Sequence, residues 1–187
     1  MVGAVSAMSN DQEPQALSGL RILDLTQGLA GPAGAKLLAD FGAEVIKVEP
    51  PGGDCARRAG PFPGDQPHPE QSALFLNYNR NKLGITLDVF TRDGRRLLDQ
   101  LIEQSDAIML SYSPAEIERL GLDFDSVKKT NPALVVAALT PWGLTGPYRD
   151  YQASEIVLDA FGHTMSSYGR ADRPPLAMGA GPAAASS

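Results

Sequence analysis

From residue 20 onward the chain alternates short apolar blocks with amphipathic stretches and polar turns. Leu20–Leu25 is a compact apolar run between Gly19 and Thr26, the pattern of a buried strand. Ala43–Glu49 carries Val45, Ile46 and Val48 and stops at Pro50-Pro51-Gly52-Gly53, which predicts a second strand. Between them the pattern predicts a helix through Lys36–Phe41, with Pro32 in its first turn and Gly42 at its C-terminal cap. Three further strands are predicted over Leu83–Val89, Ala107–Leu110 and Leu134–Leu139. Thr91 suits the cap of a helix that lines up Leu97, Leu98, Leu101 and Ile102. Short helices follow over Pro114–Leu120 and Asp123–Thr130. A last helix is predicted over Ser154–Ser167, with Ile156, Val157, Ala160, Phe161 and Met165 inward. Residues 50–72, rich in proline and glycine, predict a long ordered loop or flap rather than a packed element.

This order of strands and helices implies an α/β fold: a Rossmann-like open, mostly parallel sheet with helices on both faces. Composition agrees. The 187 residues are 43% hydrophobic and 20% charged, ordinary globular usage that excludes wholesale disorder. The 19 glycines and 15 prolines favour turns over long helices. A net charge of −6 lacks the footprint for general nucleic-acid binding. Cys55 is the single cysteine, and His68 and His163 are the two histidines. That excludes an intramolecular disulfide and disfavours a zinc cluster or a histidine metal centre, so no metal is expected. The reading is a cytoplasmic protein with no signal peptide, no membrane span and a disordered leader over residues 1–16.

The richest local signal is the turn after the first strand, Gly28-Leu29-Ala30-Gly31-Pro32-Ala33-Gly34. A glycine turn opening a helix lets backbone N–H groups approach a phosphate. Glu49 then ends the second strand where a dinucleotide enzyme places an acid on the ribose. The spacing departs from G-x-G-x-x-G, and Pro32 removes one backbone donor, so an NAD-dependent oxidoreductase is the weakest reading. A second possibility is that these glycines only permit tight helix–sheet packing.

Longer colinear blocks narrow the choice. Leu17–Thr26, Ala30-Gly31-Pro32 and Leu38–Asp54 resemble the opening of the class III CoA-transferases, the family of formyl-CoA transferase, carnitine CoA-transferase and α-methylacyl-CoA racemase. Asn79–Lys82, Ile85–Asp88, Glu116–Leu122, Asn131–Val135 and Gly143–Tyr148 continue the resemblance in order, over about residues 17–179. It implies that residues 17–187 are the N-terminal part of a CoA-binding Rossmann-like domain, about half of a protomer of an interlocked homodimer. The implied cofactor and substrate is coenzyme A or acyl-CoA, with a carboxylic acid as the other partner.

Carried over position by position, the resemblance implies that Leu29 and Ala30 line the CoA site, that Leu87 lies beside the adenine and that Tyr112 packs against the nucleotide. Arg119 matches an arginine on the CoA phosphates, and Arg57, Asn81 and Lys82 are further candidates. A guanidinium suits a phosphate because it stays charged and forks onto two oxygens. The bland alternatives are a core leucine, helix-surface or loop charges at Arg119 and Arg57, and a turn at Asn81-Lys82. Phe90 stands where the family often has a basic residue. The family's nucleophile is an aspartate after a Pro-Pro-Leu segment, matched by Arg173–Gly179, but no acid follows it here. The catalytic group is therefore unassigned. Glu155 is a candidate as the surviving carboxylate of a racemase-type pair that here reads Ser154-Glu155. The implied activity is CoA transfer between an acyl-CoA and a free acid; the alternatives are a CoA-binding domain without turnover or a racemase.

Overall fold

The computed structural model describes residues 15–170, 172–174 and 176. Five parallel strands, β1 (Arg21–Leu25), β2 (Glu44–Glu49), β3 (Lys82–Thr86), β4 (Ala107–Leu110) and β5 (Val135–Ala138), lie in the order β3-β2-β1-β4-β5. The crossovers carry α1 (Ala30–Asp40), α2 (Ala73–Tyr78), α3 (Arg92–Glu103), α4 (Pro114–Leu120) and α5 (Phe124–Thr130), and α6 (Glu155–Phe161) follows β5. The strand alternation shows why both faces are covered. Leu23, Leu25, Val48, Ile108 and Leu110 point to one side and meet Leu98 and Ile102 of α3 together with Ile117 and Val127. Ile22, Val45 and Met109 point to the other and meet Ala35 and Ala39 of α1. Successive side chains of one strand thus feed two cores.

Local chemistry fixes the helix ends. Thr91 accepts from the Gly94 N–H at 3.0 Å to cap α3. Ser113 and Glu116 form a reciprocal capping box on α4, and Gly121 closes that helix in the left-handed region at φ 59°. Asp123 caps α5.

The structure differs from the sequence pattern in four places. Residues 50–72 are not a free flap: a 3₁₀ turn over Cys55–Arg58 packs Ala56 and Ala59 against Leu74 and Phe75 of α2, a helix the pattern did not predict. The third strand ends at Thr86 rather than Val89. Leu97, expected on the inner face of α3, is exposed, while Leu98 and Ile102 are buried and Leu101 packs half-buried against the same core. The last helix stops at Phe161; His163 takes a left-handed φ of 58°, and a 3₁₀ turn covers Thr164–Ser167. Ile156, Val157 and Phe161, expected inward, are exposed, and α6 buries no residue. Phe161 instead packs edge-on to Trp142 and Tyr148. Of the expected leader, residues 1–14 lie outside the described residues, while the Gln15 carbonyl accepts from the Ser18 N–H. No helix of the described residues is long and apolar enough to cross a membrane.

Gly94 gives a sharp test of this packing. A Cβ there would overlap the Asp88 carbonyl, a backbone atom in the turn before α3. Alanine raises intrinsic helix propensity by about 1 kcal/mol over glycine. Gly94→Ala is nevertheless expected to lower the urea midpoint; an unchanged or raised midpoint would show that the turn yields.

Candidate functional site

The strand order reverses at β1, with β2 and β3 to one side and β4 and β5 to the other. In an open parallel sheet, ligands bind outside the carboxyl ends of the strands at such a point. A cavity of about 940 Å³ opens there. Its walls come from Gln27 after β1, Ala30 and Gly31 at the start of α1, Ser111 and Tyr112 after β4, and Leu139 and Thr140 after β5. Phe90 and Leu158 of α6 line it as well.

Glycine shapes the α1 side of this cavity. Gly28 turns the chain at φ 78°. Gly31 is buried, and a Cβ on it would run into the Thr26 side chain, so glycine is what lets the helix start against the end of β1. The first N–H groups of α1 have no acceptor inside the helix and add to the positive end of its dipole. Opposite, Phe90 and Tyr112 meet edge-on at 5.7 Å between ring centres. The Arg119 guanidinium lies 4.5 Å over the Phe90 ring. Arg119 is exposed and makes no ion pair among the described residues. Burial and the nearby Glu116 and Asp88 push the Tyr112 phenol up to about 12, so it stays protonated at neutral pH.

Behind the turn lies a lattice of buried charges contributed by Asp24, Lys47, Glu49, Asp54, Arg57 and Lys82. Asp24 accepts from Lys82 Nζ at 2.8 Å and from the Thr26 N–H at 3.0 Å. Lys82 also donates to the Pro32 carbonyl at 2.9 Å and to Asn79 at 2.9 Å. Lys47 donates to the Thr26 carbonyl and, at 2.7 Å, to Asp54. Arg57 forks onto both oxygens of Glu49 at 2.6 and 2.8 Å, and its guanidinium stacks 3.7 Å from the Phe75 ring centre. Burial opposes ionisation of Asp54 and Glu49, but Lys47, Arg57 and backbone N–H donors outweigh it and hold both carboxyls below their ordinary values. Burial likewise lowers the Lys82 ammonium pKa, against the pull of Asp24.

The candidates named from sequence therefore fall into two groups. Ala30 and Tyr112 line the cavity, and Arg119 stands behind Phe90 at its wall. Leu29 packs against the Ala56–Phe75 cluster, and Leu87 against the α3-side core. Arg57 and Lys82 have their charges met by Glu49 and Asp24, and Asn81, in the left-handed region at φ 62°, donates to Asp40 at 2.6 Å. Glu49 itself is held by Arg57 and the Asp54 N–H, not offered to a ribose. Glu155 is half-buried in the first turn of α6 and is not among the residues that line the cavity. Sequence reasoning passed over Gln27, Ser111 and Thr140. Their common signal is that each directly follows, or nearly follows, the last residue of a strand. The segment expected to hold the nucleophile, residues 180–187, lies outside the described residues.

Fold and cavity define a doubly wound, open parallel α/β domain with its main cleft at the point where the strand order reverses. The family can be stated too: residues 17–185 match the model of CoA-transferase family III, and the chain belongs to that family. Curated relatives include a formyl-CoA:oxalate CoA-transferase of Streptomyces avermitilis, 40% identical over 89% of this chain and 39% of its own length. A succinyl-CoA–D-citramalate CoA-transferase of Chloroflexus aurantiacus is 37% identical over 92% of this chain and 42% of its own. Among solved structures, a CaiB/BaiF family protein from Brucella suis superposes with a TM-score of 0.79 at 34% identity, over 90% of this chain and 44% of that one. The chain thus spans about 40% of the length of the curated relatives it matches.

The buried carboxylates predict an acid limb in stability. Their folded pKa values lie below the ordinary 3.8 of Asp and 4.5 of Glu, so the unfolded chain takes up protons first as pH falls. Their contribution is complete above those ordinary values and is lost as pH falls through them toward the lower folded values. The urea midpoint is expected to drop steeply below about pH 4.5. In Asp54→Asn the drop becomes shallower while the midpoint at pH 7 falls. An equally steep acid limb in the variant would remove Asp54 from this account.

Proposed function

We propose that this chain is the CoA-binding part of a CoA-transferase that moves CoA between an acyl-CoA and a free carboxylic acid. The observation that carries this reading is the cavity at the strand-order reversal, with a glycine-shaped helix N-terminus on one wall and Phe90 and Tyr112 on the other, Phe90 carrying the Arg119 guanidinium over its ring. The two walls offer complementary chemistry. Unpaired N–H groups at the start of α1 favour an anion such as a pyrophosphate. Aromatic side chains favour a flat base, and Arg119, which makes no ion pair among the described residues, adds a second positive group. The floor between them is neutral and polar at Gln27, Ser111 and Thr140, which suits an arm carrying amides. The curated relatives named above act on acyl-CoA substrates, and that supports the same substrate class here.

In this reading Ala30, Gly31, Tyr112 and Arg119 contact the nucleotide, with Leu29 and Leu87 shaping the cavity from behind. Arg57, Asn81 and Lys82 act indirectly, by holding the loop and α1. The working protein is a cytoplasmic homodimer. Transfer proceeds through an acyl or CoA intermediate on an enzyme carboxylate, a covalent route that divides one difficult step into easier ones. One observation favours a second reading, a CoA-binding domain without turnover. Among the described residues that line the main cavity the single carboxylate is Glu116, and it is tied into the capping box of α4.

Calorimetric titration separates these readings from a nicotinamide enzyme. CoA and acetyl-CoA are expected to bind with saturable heats, and NAD is not. Arg119→Glu is expected to weaken CoA by about tenfold, the scale of one charge-assisted contact near 1.4 kcal/mol. NAD binding without CoA binding would overturn the proposal. Appearance of a new acyl-CoA from an acyl-CoA and a free acid, with the full gene product, separates turnover from binding alone.

A further inference from the structure

The turn that opens the cavity is held almost entirely by side chains from elsewhere. The Thr26 carbonyl accepts from Lys47 of β2. The Gln27 N–H donates to Ser111 Oγ, after β4, at 2.9 Å. The Gly28 N–H donates to Asp54 Oδ1 at 2.9 Å. Asp54 is fully buried; its Oδ1 also accepts from the Ala56 N–H at 2.8 Å, and its Oδ2 takes the Lys47 ammonium at 2.7 Å. Lys47 is 2% exposed. Neither Lys47 nor Asp54 lines the cavity. Both grip the peptide groups on either side of Gln27, which does.

We propose that Asp54, with Lys47, is a positioning residue: the ion pair fixes the Thr26–Gly28 backbone and so aims Gln27 and the first N–H groups of α1 into the cavity. This is more specific than a contribution to stability. A buried ion pair is costly to desolvate and weak as a source of net stability. Here its free valences are spent on the two peptide groups that bracket the turn. Gly28 at φ 78° has no helical partner to hold it, so the carboxylate sets its orientation. The inference extends the CoA reading above, but its first test does not depend on it.

The first arm is amide hydrogen exchange on the chain without ligand, with Asp54→Asn and Asp54→Ala compared under conditions where both are folded. Faster exchange is expected at Gly28 and at Leu29 to Gly31, by about tenfold or more, while Leu23 and Leu25 of β1 keep their wild-type rates. Asn retains an acceptor, so Asp54→Asn should lie between wild type and Asp54→Ala. Uniformly faster exchange across β1 and the turn, or no local change, would overturn the proposal. Should Asp54→Ala not fold, the Asp54→Asn rates decide alone. The second arm is CoA titration of the same proteins. Affinity is expected to fall in the order wild type, Asp54→Asn, Asp54→Ala. Equal affinities in all folded variants would also overturn the positioning role. Wild-type protein that does not bind CoA would sink the CoA reading, leaving the exchange data to judge the turn.

Discussion

A lysine ammonium with almost no access to water must have its donors matched inside the protein, and Lys47 imposes that constraint on this fold. Its partners come from two separate segments: the Thr26 carbonyl at the end of β1 and the Asp54 carboxylate beyond the Pro50–Gly53 turn. The parallel register places Asp24 directly beside Lys47, and Lys82 reaches Asp24 from β3. Leaving any one of these groups unpaired would strand a charge in a low-dielectric interior, at a cost of several kcal/mol. The network therefore ties together strand, loop and helix: Lys82 ends on Pro32 of α1, and Asp54 ends on Gly28. Apolar packing covers the central strands β1, β2 and β4 on both faces while β3 is largely exposed, and at the carboxyl ends of β1 and β2 charge pairing does the ordering.

That division explains the shape of the cavity. On the α3 side, side chains interdigitate to the very end of the strands, with Leu25 and Leu110 buried. On the α1 side the helix begins close against β1 because Gly31 has no side chain, and the polar network fills the space behind it. The opening is left between α1 and the ends of β4 and β5. Its two sides then differ in kind, the start of α1 on one and the aromatic side chains of Phe90 and Tyr112 on the other.

Much of the sheet was legible because its signal is local. β1, β2, β4 and β5 are short apolar blocks with turn residues at their ends, and the caps at Thr91, Ser113 and Asp123 stand in the sequence beside the helices they start. Residues 50–72 do form a loop, but its packing is invisible in the pattern for the opposite reason. Their packing depends on Ala56 and Ala59 meeting Leu74 and Phe75, small residues against a two-turn helix with no clear period of its own. α6 shows the reverse error: an apolar stripe that reads as inward-facing is exposed among the described residues, its Phe161 resting on Trp142 and Tyr148. The site was half legible. The glycine turn announces itself, and the family resemblance pointed to Ala30, Tyr112 and Arg119. Whether a basic residue is free or already paired could not be read along the chain, because Lys82 and its partner Asp24 are 58 residues apart. Arg57 is closer to Glu49, yet its pairing needs the 3₁₀ turn that brings the two together.

The central claim is spatial: a CoA molecule occupies the cavity between α1 and the ends of β4 and β5. Amide chemical-shift mapping on isotope-labelled protein titrated with CoA tests it most directly. The account predicts that the largest shifts fall on Gln27 to Gly31, on Ser111 and Tyr112, and on Leu139 and Thr140, with the outer faces of α3 and α5 unmoved. Saturating CoA that leaves those amides in place, or moves a different surface instead, would contradict it.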